Sequence, residues 1–192
     1  MTLSECEIPG CYEIQLPVCS DARGSFVKTI ASSQFAEREL ETGFVETFYT
    51  VSGENVLRGM HLQLPPADHA KFVYCVAGGV MDICLDVRRG SPAFGRHIVI
   101  ELAAERNNAI YLPRGVAHGF YVRQAPALMV YHVTSEHEPR LDTGIAWNSF
   151  GAKWPTGSPL LSPRDAGLTR FQDFASPFRF SGRAERVGER SK

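Results

Sequence analysis

Short strand-like runs at residues 12–17 (reaching 19), 25–30, 44–51, 55–62, 71–76, 79–87, 96–102, 109–112, 118–123 and 127–134 follow one another along this chain, separated by Gly, Pro, Asn and Asp. Helical periodicity is confined to 33–40, where Ser33 can cap and Phe35, Ala36 and Leu40 can face inward. Many short strands at even spacing point to a sandwich or barrel, so an all-β fold is expected, with a double antiparallel sheet and short peripheral helices. In the run 81–87, Met81, Ile83, Leu85 and Val87 alternate with Asp82, Cys84 and Asp86. One face is therefore apolar and the other carries two carboxylates, turned either to solvent or into a polar lumen.

A chain of 192 residues with 44% hydrophobic content fills one core and is short for two. A single domain over 1–180 is expected, followed by a charged, small-residue-rich tail at 181–192 expected to be disordered. Twenty basic against 21 acidic residues argue against a nucleic-acid or anionic-membrane surface, so any anionic ligand must be met by local charge. The five cysteines, Cys6, Cys11, Cys19, Cys75 and Cys84, form no CxxC pair and are odd in number, which speaks against structural zinc or a disulfide framework. With no basic leader and no run of about 20 apolar residues, a soluble cytoplasmic protein is expected.

Ionisable residues interrupt the apolar pattern between Val56 and Lys71, where Arg58, His61, His69 and Lys71 fall within one strand-loop-strand span. Buried without partners such groups are costly, so they line a pocket more often than they fill a core. Strict alternation puts Arg58 and His61 on opposite faces, and both reach one site only if Gly59 allows a bulge or twist.

These residues belong to a longer ordered series. It runs through Asp21-Ala22-Arg23-Gly24-Ser25-Phe26, Val56 to Gln63, Lys71, Gly79 to Asp82, Asp86-Val87-Arg88, Gly90 to Gly95, Pro113 to Phe120, Tyr131, Trp147-Asn148 and Leu161 to Asp165. In this order the series resembles the dTDP-4-dehydrorhamnose 3,5-epimerase family, nucleotide-sugar epimerases of cupin type. The resemblance implies a cupin-like jelly-roll, a homodimer with exchanged strands, no cofactor, and a nucleotide-diphosphate 4-keto sugar as substrate in deoxysugar or surface-glycan biosynthesis. It also implies inversion at C3, C5 or both through an enolate. By resemblance, His61 is the base, Asp165 its partner, Tyr131 the acid on the other face of the sugar, and Lys71 the cation near the C4 oxygen. Arg23, Phe26, Arg58, His118 and Arg164 match contacts to the substrate, Asp82 an inward-facing acid near the lysine, and Asp142 a glutamate of similar use.

At the nucleotide end the chain departs from the family. Thymidine-specific members have a glutamate at the place of Lys28, a glutamine and an asparagine at Glu46 and Phe48, and a base-stacking tyrosine at His137. These four changes lead to the expectation of a CDP- or GDP-linked substrate, with Phe48 and His137 stacking the base and Glu46 accepting from an exocyclic amino group. Two other readings compete. Pro113-x-Gly115-x-x-His118 resembles half of a cupin metal signature, but Leu62-Gln63 after His61 breaks the other half, leaving His61, His69 and His118 as a speculative triad. A non-catalytic sugar-binding module is the second, and it has no use for an acid and a base on opposite faces.

Overall fold

The computed structural model describes residues 1–182. The expected tail falls almost wholly outside the described residues, and Ser181 and Gly182 have no regular secondary structure. Among the described residues eleven strands are formed: β1 (Thr2–Glu5), β2 (Tyr12–Gln15), β3 (Val18–Asp21), β4 (Gly24–Val27), β5 (Glu46–Ser52), β6 (Leu57–Gln63), β7 (Lys71–Asp86), β8 (His97–Ala103), β9 (Asn108–Leu112), β10 (Val116–Val133) and β11 (Asp142–Gly144). The helices are α1 (Ser32–Ala36) and α2 (Pro163–Ala166).

Two strands organise the fold. Residues 71–76 and 79–87, read as separate runs, are one strand, as are 118–123 and 127–134. Each bends where the sequence is rich in Gly and Pro. Gly78 has φ +69°, and a Cβ there would lie 2.2 Å from the Gln124 carbonyl. The β7–β10 ladder shifts register repeatedly between Val122 and Met129. As a result each strand serves both layers. Lys71–Tyr74 of β7 pair with β9, and Ala127–Val133 of β10 pair with β5, making layer one with β1 and β2. Gly79–Leu85 pair with β8, and His118–Tyr121 pair with β6, making layer two with β11. This is the expected double-sheet jelly-roll.

Side-chain alternation then sorts three apolar clusters. Val73, Cys75, Cys84, Ile110, Phe120, Met129 and Tyr131 meet between the layers. Phe72, Tyr111, Ile14 and Tyr12 cover the outside of layer one and receive Phe35 from α1. Met81, Ile83, Leu85 and Val87 cover the outside of layer two beneath Ile145, Trp154, Phe171 and Phe178. The carboxylate face of 81–87 is therefore a lumen: Asp82 and Asp86 are both 0% exposed. Asp86 takes the Arg88 guanidinium at 2.7 Å and the Ser91 hydroxyl at 2.6 Å, which meets the demand of a buried charge for partners.

Two local expectations fail. The helix starts one residue early and is shorter; its cap position is Ala31, with no side-chain cap, and Ala36 faces out while Phe35 and Leu40 pack inward. β1 was not foreseen, because Thr2–Glu5 is too short to show alternation and is held only by its hairpin with β2.

Candidate active site

The site begins with a mismatch between two strands. His61 lies opposite His118, and Arg58 lies opposite Phe120, so three steps along β6 match two along β10. The extra residue is taken up at Gly59, whose φ of +133° is accessible to glycine and strained for other residues. The bulge turns Arg58 back to the side His61 already occupies, meeting the condition set by the sequence. Since Phe120 packs between the layers and His118 pairs with the interior residue Cys84, all three polar side chains face the lumen.

His61 Nε2 sits 2.7 Å from Asp165 Oδ1. The carboxylate is aimed by α2: Ser162 Oγ accepts from the Asp165 N–H at 3.0 Å, and Asp165 Oδ2 accepts from the Gly59 N–H at 3.2 Å. Burial pushes the imidazole below its ordinary pKa despite the neighbouring Asp165, so the ring is neutral near pH 7. Burial alone would raise the Asp165 carboxyl, but the bond to His61, the Gly59 N–H and Arg164 outweigh it and hold the acid ionised. A neutral imidazole oriented by a carboxylate is a competent base.

Layer one supplies the facing groups. Lys71 and Tyr131 lie on neighbouring strands among the inward-facing residues Val73 and Val133. Lys71 crosses the gap, its Nζ donating to the His61 carbonyl at 3.1 Å. Burial lowers it to about 8, with Asp142 and Asp82 opposing the shift, so it stays largely charged at neutral pH. Tyr131 is 6% exposed, with its ring stacked on Phe48 at 4.8 Å and edge-on to His118 at 6.1 Å. Burial, with Asp82 nearby, pushes its phenol up, so it holds its proton. His118 Nε2 in turn meets Asp82 Oδ2 at 2.7 Å, the bond that satisfies this buried aspartate. The imidazole thus stands on one of the two facing layers and the phenol on the other.

The rim collects further expected residues. Arg164 is paired with Asp142 at 2.7 Å, and Arg58 Nε donates to Ser52 Oγ at 3.0 Å. Glu46 Oε2 accepts from the His137 N–H at 2.7 Å. The Glu46 carboxylate is thus tied to the backbone of the segment carrying His137, and the Phe48 ring turns toward Tyr131. Arg23, Phe26 and Lys28 are not brought to the centre within this chain. They lie on or just after the β3–β4 hairpin, which pairs with no other strand among the described residues; Arg23 is engaged by Asp21 and Phe26 is 64% exposed.

The triad of His61, His69 and His118 is not assembled. Their rings turn to Asp165, to Gln63 and Ser135, and to Asp82 respectively. Among the described residues no group of three or more His, Cys, Asp or Glu side chains is placed to hold a metal ion. His69 is instead a half-buried neutral link, pushed to about 3 by burial and the charges of Lys71 and Arg114.

Ser162, Ser52 and Thr50 escaped the sequence reading. Ser162-Pro163-Arg164-Asp165 carries the pattern of a capped helix start, which was a usable signal. The other two lie in an exposed-looking strand and offered none.

A family model described as dTDP-4-dehydrorhamnose 3,5-epimerase matches residues 5–173. The chain is 35% identical over 178 residues to the dTDP-4-dehydrorhamnose 3,5-epimerase of Shigella flexneri, covering 90% of this chain and 97% of that one. It superposes with a TM-score of 0.89 on the Legionella pneumophila dTDP-6-deoxy-D-glucose-3,5-epimerase in complex with dTDP-4-keto-L-rhamnose, at 28% identity over 94% of this chain and 98% of the other. A 3'-monoepimerase from Streptomyces bikiniensis bound to dTDP-quinovose matches with a TM-score of 0.79 at 31% identity, over 86% of this chain and 85% of that one. The expectation of a CDP- or GDP-linked substrate finds no support here, since these relatives are named for dTDP-sugars or hold them. Glu46, one of the residues on which that expectation rested, is already tied to the His137 N–H. A jelly-roll with an Asp-held histidine and a buried tyrosine on opposing walls, matched over nearly its whole length by these proteins, belongs to the dTDP-4-dehydrorhamnose 3,5-epimerase family.

Proposed function

We propose that this protein epimerises a dTDP-linked 4-keto-6-deoxy sugar at C3, C5 or both, with His61 as base, Tyr131 as acid and Lys71 as the cation at the C4 oxygen. The observation that carries the reading is the placement of His61, held by Asp165 at 2.7 Å, and Tyr131 on facing layers of one lumen. His61 takes the proton from the carbon beside the ketone, the C4 oxygen becomes an enolate oxygen beside the Lys71 ammonium, and Tyr131 delivers its proton to the opposite face. The ketone re-forms with that carbon inverted. Arg58, His118, Asp82, Asp142 and Arg164 surround this centre and bind the sugar and pyrophosphate. Phe48, Glu46 and His137 lie toward the nucleotide.

Tyr131→Phe tests the division of labour. In heavy water it should still take deuterium into recovered substrate at C3 or C5, while net inversion falls by about 10²-fold or more. Normal inversion by this variant would mean that another group or water is the acid.

The pH profile of kcat/KM should have two limbs. Below pH 6.5 activity is lost as His61 gains a proton, later than for a free imidazole because its pKa is lowered. On the alkaline side activity falls as Lys71 loses its proton through about 8. Lys71→Arg should carry the alkaline limb upward, since a guanidinium stays charged. An unmoved limb would assign it to a different group.

Side-by-side turnover of dTDP-, CDP- and GDP-4-keto-6-deoxyhexoses should favour the dTDP substrate. Preference for either of the others would restore the carrier expected from Lys28, Glu46, Phe48 and His137.

A homodimer accounts for the unattached hairpin. The outside of layer one is apolar, with Tyr49 68%, Val51 54% and Val76 49% exposed beside a shallow depression of about 190 Å³ lined by Thr47, Phe48, Tyr49, Leu128 and Val130. A second copy on this face would cover it and let Arg23, Phe26 and Lys28 reach the partner's lumen, forming part of the substrate site there.

A further inference from the structure

The proposed reaction leaves one species without visible support. When Tyr131 gives its proton to the enolate carbon, the electron pair of its O–H bond stays on oxygen, and a phenolate is left in a site that is 6% exposed. A buried anion without a hydrogen-bond donor is costly. Its ring is held by Phe48 and His118, and both contacts are made by carbon faces and edges that do nothing for the oxygen.

Thr50 stands where a donor is needed. It lies two residues beyond Phe48 on β5, on the same side of the strand, and its partner across the ladder is Met129, an interior residue. Its Oγ1 is shut off from solvent and makes no hydrogen bond among the described residues. Buried hydroxyls are normally paired, so an idle one beside a catalytic group calls for a reason. Phe48 opposes Tyr131 and Thr50 opposes Met129, so Thr50 is the diagonal neighbour of Tyr131 on the same face of the ladder, and both Thr50 and Arg58 act against the upward push of burial on the phenol.

We infer that Thr50 is a positioning residue for Tyr131, whose hydroxyl swings to donate a hydrogen bond to the phenolate formed at the moment of inversion. No other group among the described residues competes for the hydroxyl, and its bond to Tyr131 strengthens when the phenol becomes charged. Such a contact lowers the barrier to reprotonation and leaves substrate binding unchanged. After product leaves, water returns a proton to Tyr131 and accepts the one held by His61, so no other reactant is consumed. This inference rests on the assignment of Tyr131 as acid.

The test uses Thr50→Val, which keeps the shape and removes the hydroxyl, and Thr50→Ser, which keeps the hydroxyl, with dTDP-4-keto-6-deoxy-D-glucose in heavy water. Thr50→Val should lower kcat for inversion by about ten- to a hundredfold, the worth of a hydrogen bond to a charged group. Its KM should stay within about twofold. Deuterium uptake into recovered substrate, which needs only His61, should be undiminished, because the enolate now returns to the face it left. Thr50→Ser should restore most of the inversion rate. If the valine variant is poorly folded, Thr50→Ala against Thr50→Ser reads the same contrast. Inversion by Thr50→Val or Thr50→Ala within about twofold of the parent, or parallel loss of exchange and inversion, overturns the inference. Loss of inversion in Tyr131→Phe alongside a normal Thr50→Val removes Thr50 alone, whereas normal inversion by Tyr131→Phe removes the acid assignment itself.

Discussion

Replacing His61 with alanine is expected to stop solvent deuterium from entering C3 and C5 of the substrate and to lower turnover by about 10³-fold or more, near the upper end of what a positioned base contributes. The size of the effect follows from the surroundings of the ring. The described site offers no obvious substitute: His118, on the same wall, is committed to Asp82 at 2.7 Å, and Lys71, on the facing wall, donates to the His61 carbonyl at 3.1 Å. Asp165→Asn gives the companion result. The carboxylate raises the imidazole pKa against burial, so without it the pKa falls further and the acid limb of the profile moves to lower pH. At the same time the rate at neutral pH drops, since a weaker and less well oriented base takes the proton. Deuterium exchange in His61→Ala at the parent rate would show that the proton leaves by another route.

Gly59→Ala is expected to be strongly destabilising although it adds a single methyl group. Its Cβ would lie 2.4 Å from Gly119 Cα and 2.9 Å from the His118 carbonyl, both backbone atoms that cannot swing away, and φ is +133°. Overpacking and left-handed strain together cost about 2–6 kcal/mol, equivalent to a fall in Tm of roughly 5–20 °C for a chain of this size. Thermal unfolding reads this directly. Gly157→Ala, where an added Cβ meets open space, is the control and should be near neutral. Activity should fall further than stability explains, because the bulge at Gly59 is what sets Arg58 and His61 on one side. A Tm within about 2 °C of the parent would mean that β6 and β10 can separate without loss.

The fold class was legible in the sequence, while the strand boundaries were not, for physical reasons. Polar residues in apolar strands stand out wherever they fall, so Arg58, His61, Lys71 and Asp82 could be singled out; His118 came from the resemblance, and the structure brings these five to one lumen. Strand ends are set by partners that the sequence does not display. Nothing in 71–76 or 79–87 reveals that they are one continuous strand, because Gly78 and Gly79 signal a break whether the chain turns away or merely bends. The nucleotide end was misjudged for a related reason. Glu46, Phe48 and His137 were weighed as free to meet a base, whereas Glu46 reaches a backbone N–H on the loop carrying His137 and Phe48 lies against Tyr131. Such pairings join segments roughly 90 residues apart, a separation over which local pattern says nothing.

The bend shared by β7 and β10 has a consequence for how this scaffold can vary. Lys71 and Asp82 belong to one continuous strand, His118 and Tyr131 to the other, so the spacing between the reacting groups depends on how far two paired strands curl at Gly78 and Pro126. Loops at the rim could be lengthened, shortened or replaced to admit different sugars with little disturbance to that spacing. A substitution that stiffened or straightened the curl would instead alter the distance between the proton's departure and its return, without touching any residue that meets the substrate.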